Sequence, residues 1–308
     1  MKVIGKLKTL FGQDPARADL GWHMDRFIEL LDPAITRLPD YRRTLEPATE
    51  FAHEYCLRLA AVLPGPYAVS ESGHGSDPLL SALFPRREDI AAAFGRSIEV
   101  RDRLAAFATG TPVEVHALLG LRQRVTAAPP DTPSSLSRAW SKPRFVDHTL
   151  RSLALSEQEV RRQFASAAFD SLRHAYLQKV EELRRKRKQA HSERQLMLEV
   201  STVTGDPAEE PDTASCDDTD LSPAGLLAGL AAWLHAPQEH LRLEMGNQDA
   251  QVILPHPDPA QRGLQKLELP TLVGVDRRRW PVCLVRFAYE DALAAVSRES
   301  MAHRYLLI

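Results

Sequence analysis

No run of apolar residues in this sequence approaches the ~18 that a membrane-spanning helix needs. The N-terminal stretch MKVIGKLKTLFGQD lacks the apolar core and small-residue cleavage site of a secretory signal. Cysteine is scarce. Cys56, Cys216 and Cys283 are odd in number and far apart, which excludes a disulfide framework and a CxxC metal knuckle. Cys56 and Cys283 lie inside apolar runs and are expected as small core residues. An excess of charge of one sign is also missing. The 39 Lys and Arg against 41 Asp and Glu leave a net −2, with no overall pull toward nucleic acid or an anionic membrane. A cytoplasmic, reducing setting is the expectation.

Signatures of catalysis are missing as well. There is no GxxxxGK[ST] phosphate loop, no GxGxxG after a strand and no HExxH pair. His23, His53, His74, His116 and His148 are well separated, and His235 and His240 lie across an expected helix end at Pro237. Serine, histidine and acid do occur together in Ser70–Asp77 (SESGHGSD). A catalytic triad is made by folding geometry rather than by neighbours in the chain, and the Gly-x-Ser-x-Gly elbow is absent, so this stretch reads as a surface loop. No catalytic residue, cofactor site or metal site is expected, and no repeat of solenoid length is present.

What is there is a chain of 308 residues, 44% apolar and 26% charged, enough for a real core and for two domains. The expected fold class is mainly α: an N-terminal helical bundle, a long central amphipathic helix of coiled-coil type, and a small C-terminal α+β domain. Residues 1–128 read as a helical domain. Trp22, Phe27, Leu30 and Leu31 recur at helical spacing, and Phe51, Tyr55, Leu59 and Val62 form the expected buried face of a helix over Glu46–Val62. Short helices are expected at Leu79–Phe84, Ile90–Phe94 and Val100–Phe107. Residues 129–143, rich in proline and serine, read as a linker or an ordered loop.

Residues 144–204 are assigned to the long helix, strongest from Ser156, where Ser156 and Glu159 match a capping box. Phe169, Leu172, Tyr176, Val180 and Leu183 step by three and four, as an association seam does. The same register then reaches Arg187, Ala190, Arg194 and Met197, so the seam turns polar. Residues 205–221 hold seven acids and no base, the composition of a disordered linker. Residues 222–308 alternate short apolar runs with turn residues and are expected as the α+β domain, closed by a helix over Tyr289–Met301.

Three surfaces remain as candidates. The first is the seam itself, for a protein partner or self-association. The second is the basic run Arg184, Arg185, Lys186, Arg187 and Lys188, within a stretch where eight bases face three acids. It reads first as a solvated helix face and second as a site for an anionic partner. Nucleic acid is disfavoured, because five consecutive bases point all round a helix and no aromatic platform accompanies them. The acidic tract can also fold back and neutralise it. The third is Val3, Ile4, Leu7, Leu10 and Phe11, one side of a short basic N-terminal helix that can lie in a membrane interface or on a partner, with docking on the protein's own bundle or fraying the favoured reading. These features favour a non-enzymatic interaction or scaffold protein associating through the long helix. An enzyme with a site of dispersed polar residues, and a membrane-peripheral adaptor, are the alternatives.

Overall fold

The computed structural model describes residues 16–108, 113–124, 144–204, 220–245, 251–255 and 264–305. The chain divides into two compact units. One holds the described residues up to Ala52 together with Ser171–Ala236. The other holds His53–Asp170 together with the described residues from Pro237 onward. Each is therefore built from two separate stretches of chain. Among the described residues no helix is long and apolar enough to cross a membrane.

The second unit overturns the mainly-α expectation. Its centre is a six-stranded sheet made of β1 (Tyr67–Ala68), β2 (Glu114–Arg124), β3 (Arg144–Ala154), β4 (Arg242–Glu244), β7 (Thr271–Val273) and β8 (Arg279–Ala288), in the order β3-β2-β8-β7-β4. These neighbours are antiparallel, while β1 runs parallel to the second half of β8. The strands β5 (Gln251–Pro255) and β6 (Leu264–Glu268) form a separate hairpin. The C-terminal strands do not make a small domain of their own: β8 pairs with β2 from the region expected as a helical bundle. β3 likewise occupies residues expected to begin the long helix.

The physical reason is visible in the side chains. In β2, Val115, Ala117, Leu119 and Leu121 are fully buried and alternate with period two, as a half-buried strand requires. β3 hides the same period. Asp147 and Ser152 have φ of 52° and 56°, and the register against β2 slips by one residue near each. Two bulges therefore flip the alternation, so that Phe145, Leu150 and Leu153 all point into the core.

Helices α3 (Pro78–Leu83), α4 (Arg87–Arg96), α5 (Ile98–Arg103) and α8 (Tyr289–Tyr305) supply Leu83, Phe84, Ile90, Phe94, Val100 and Ala295 to that core, against Leu119, Cys283, Val285 and Phe287 of the sheet. The three short helices thus lie close to where the spacing predicts them. The loop entering β1 lies on β8: Leu284 N–H donates to Pro64 O at 2.8 Å, and Gly65, at φ 104°, leaves no room for a Cβ against the Leu284 carbonyl.

The first unit is helical. It contains α1 (Ala16–Leu31), a 3-10 turn at Pro33–Arg37, the first half of α2 (Tyr41–Ala61), the larger part of α6 (Glu157–Thr204), and α7 (Pro223–His235). The buried face of α2 differs from the one expected. Leu45, Ala48, Ala52, Cys56 and Leu59 are buried, whereas Phe51 and Val62 are exposed. Small residues make up most of this buried face, and the large aromatic that marks the helix in sequence sits one position off it. Leu30 of α1, one of the residues recurring at helical spacing, is 65% exposed, while Phe27 and Leu31 are buried.

Candidate functional site

The long helix α6 runs for 48 residues, and its N-terminus is capped as expected, Glu159 N–H donating to Ser156 Oγ at 3.3 Å. The Glu159 carboxylate does not reach back to complete a box, because it accepts from Arg162 and Gln163 instead. All five seam residues are buried: Phe169, Leu172, Tyr176, Val180 and Leu183. Phe169 belongs to the sheet-containing unit, where its ring meets His53 edge-on at 6.0 Å. The other four lie in the helical unit.

There α7 packs beside them. Tyr176 Oη donates to Leu226 O at 3.0 Å, and the Trp233 indole N–H donates to Leu172 O at 3.0 Å. Residue numbers rise along α7 as they fall along α6, so the two helices are antiparallel. Burial pushes the Tyr176 phenol up to about 12. Gly229 lets α7 approach closely here, since a Cβ would stand 2.5 Å from Tyr176 Oη and one of the two would have to shift. At Leu172 and Tyr176 the seam thus meets the protein's own α7, whose Leu226, Leu227, Leu230 and Leu234 are buried in turn.

The basic run is not uniform. Arg184 donates to Leu31 O at 3.0 Å and pairs with Asp32 at 3.4 Å, so it caps the last carbonyl of α1. Lys186 pairs with Glu182 one turn earlier at 3.0 Å, and holds that carboxyl below its usual range through the hydrogen bond. From Arg185 to Met197 every side chain except the half-buried Ala190 is exposed. Leu196, at 63%, and Met197, at 44%, are apolar members of that exposed stretch. The helix is held there by its own surface bonds, Gln189 Nε2 donating to Glu193 and Ser192 Oγ to Lys188 O, both at 3.0 Å.

Asp220, at the end of the acidic tract, accepts from Ser222 N–H and Ser222 Oγ, both at 2.8 Å, and Ser222 Oγ in turn accepts from Gly225 N–H at the start of α7. These bonds, with the nearby positive charge of Arg187, hold the Asp220 carboxyl below the usual carboxylate range.

The other chemistry-bearing groups are engaged in building the sheet-containing unit. In the Ser70–Asp77 loop, Asp77 caps α3 through Leu79 N–H at 2.8 Å, and Ser70 Oγ accepts from Gly73 N–H at 3.0 Å. His74 donates from Nε2 to Phe84 O at 2.7 Å. His148 does the same to Leu83 O at 2.8 Å while stacking on the Phe84 ring at 4.4 Å. The two imidazoles thus close the C-terminal end of α3. Burial lowers the pKa of His148 and of His116. Burial also raises the thiols of Cys56 and Cys283 to about 12, which leaves them as thiols at neutral pH. Among the described residues no three His, Cys, Asp or Glu side chains gather as a metal site.

Val3, Ile4, Leu7, Leu10 and Phe11, the linker 129–143 and the acidic stretch 205–219 lie outside the described residues. No family model, curated protein or solved structure matches the chain. Sequence reasoning grouped Arg184 with its four basic neighbours. The signal that separates it is its place one residue beyond the last apolar seam position, where a long side chain can still reach the end of a packed helix.

Proposed function

We propose that the protein is a non-enzymatic interaction protein that docks an acidic protein partner on the exposed second half of α6, residues 185–197. The observation that carries this reading is the continuation of α6 past its last packed residue with Arg185, Lys186, Arg187 and Lys188 all exposed. A helix whose exposed turns are mostly polar calls for surface pairs or a partner, and Lys186 has one such pair with Glu182. Leu196 and Met197 favour a protein over a phosphate backbone, since they offer apolar area that a protein groove can bury. The bases point all round the helix, which fits a partner wrapping it better than a duplex groove. The seam then serves internal packing. The buried free thiols Cys56 and Cys283 support a reducing, cytoplasmic setting.

The test is fluorescence anisotropy of the full chain with labelled polyglutamate at low and high salt. Binding is expected at low salt and lost at high salt. Replacing Arg185, Lys186, Arg187 and Lys188 with Gln, with Arg184 kept, should weaken it at least ~10-fold. Equal binding by the variant removes the helix as the docking element.

A further inference from the structure

The face of α6 that packs against α7 does not end with the seam. Seven residues on from Val180 and Leu183 the helix returns to the same side with Arg187 and Ala190, and His191 and Arg194 continue it. Arg187, His191 and Arg194 are exposed, so a buried apolar stripe becomes an exposed basic one without leaving its side of the helix.

The ends of the chain segment between α6 and α7 are fixed relative to that stripe. α6 ends at Thr204, and the antiparallel α7 begins with Asp220 in the electrostatic range of Arg187. Along α6, Thr204 and Arg187 are about 25 Å apart at ~1.5 Å per residue. Residues 205–219 can span about 50 Å when extended, ample for that path. They carry Asp206, Glu209, Glu210, Asp212, Asp217 and Asp218 and no base.

We propose that the acidic stretch 205–219 is the resident occupant of the Arg187–His191–Arg194 face, where it competes with the external acidic partner. Only the competition rests on the docking function proposed above. Charge complementarity and the position of both segment ends carry the contact itself. A tethered segment of this length acts at an effective concentration of about millimolar, so a free acidic ligand enters only against that competition.

The experiment uses a labelled synthetic peptide of residues 205–219 added to two forms of the full chain at low salt. One form is unchanged. In the other the six acids become Asn or Gln, with Asp220 kept because it braces Ser222. The peptide is expected to bind the neutralised form at least ~10-fold more tightly. Adding Arg187→Gln and Arg194→Gln to that form should abolish binding. Equal binding to both forms overturns the proposal and leaves the docking reading intact. Peptide binding that survives the double Gln change, or binding to neither form, also overturns it. If polyglutamate too binds no form of the chain, the docking reading falls with it.

Discussion

Residues 172–184 and 185–197 belong to one helix and one register, yet the first stretch is buried on its inner face and the second is exposed almost throughout. The difference lies in the neighbours. α1 ends at Leu31 under the Arg184 guanidinium, and α7 starts at Pro223, so neither helix extends alongside the later residues. Periodicity gives a helix its face, but the lengths of adjacent helices decide how much of that face is covered.

Substitutions can break this contrast in graded steps. The largest loss is expected for Leu172→Ala, which empties a fully buried position and should cost about 3 kcal/mol in denaturant unfolding. A cost under about 1 kcal/mol would mean that the seam is not packed as described. Gly229→Val should cost about 2 kcal/mol by forcing α7 away from Tyr176. A change at exposed Gln195 to Val serves as its neutral partner. Arg184→Gln removes a charged cap on Leu31 and should cost about 1 kcal/mol. The Gln variant at Arg185 to Lys188 should stay within about 0.5 kcal/mol of the parent, and a larger loss would erase the distinction between the two stretches.

A smaller effect comes from the sheet-containing unit and gives the helix a reference. His148 has its pKa lowered by burial, so the unfolded chain takes up a proton at a pH where the folded one does not. Stability should therefore be full above about pH 6.5 and fall as the pH drops below it. His116 is lowered in the same direction. Thermal melts at descending pH should show a decline that His148→Gln makes shallower. An unaltered slope would place the response elsewhere.

The helices were largely legible in the sequence because capping residues and prolines mark their ends: Ser156, Asp77 and Pro223 all stand where the structure starts a helix. The seam was legible as a face, though its occupant was not, since α7 shows only a nearly continuous apolar run. β2 carried its period openly in Val115, Ala117, Leu119 and Leu121, but Leu118 fills the intervening position and blurs it into an apolar block. β3 could not be read, because two bulges destroy the alternation on which such a reading depends. The face of α2 was misplaced because Ala48, Ala52 and Cys56 are too small to stand out beside Phe51. The roles of Arg184 and Asp220 depend on where other helices end, information that no local pattern contains.

The position of β8 has a consequence for biosynthesis. This strand sits inside the sheet, with β2 on one side and β1 and β7 on the other, yet it follows all of its partners in the chain. During translation β2 and β3 emerge long before the strand that completes their sheet, so the nascent chain carries an open, apolar strand edge through the synthesis of α6 and α7. A ribosome pausing before residue 279 would hold the protein in its most aggregation-prone form, and that interval is where a chaperone would have the most to protect.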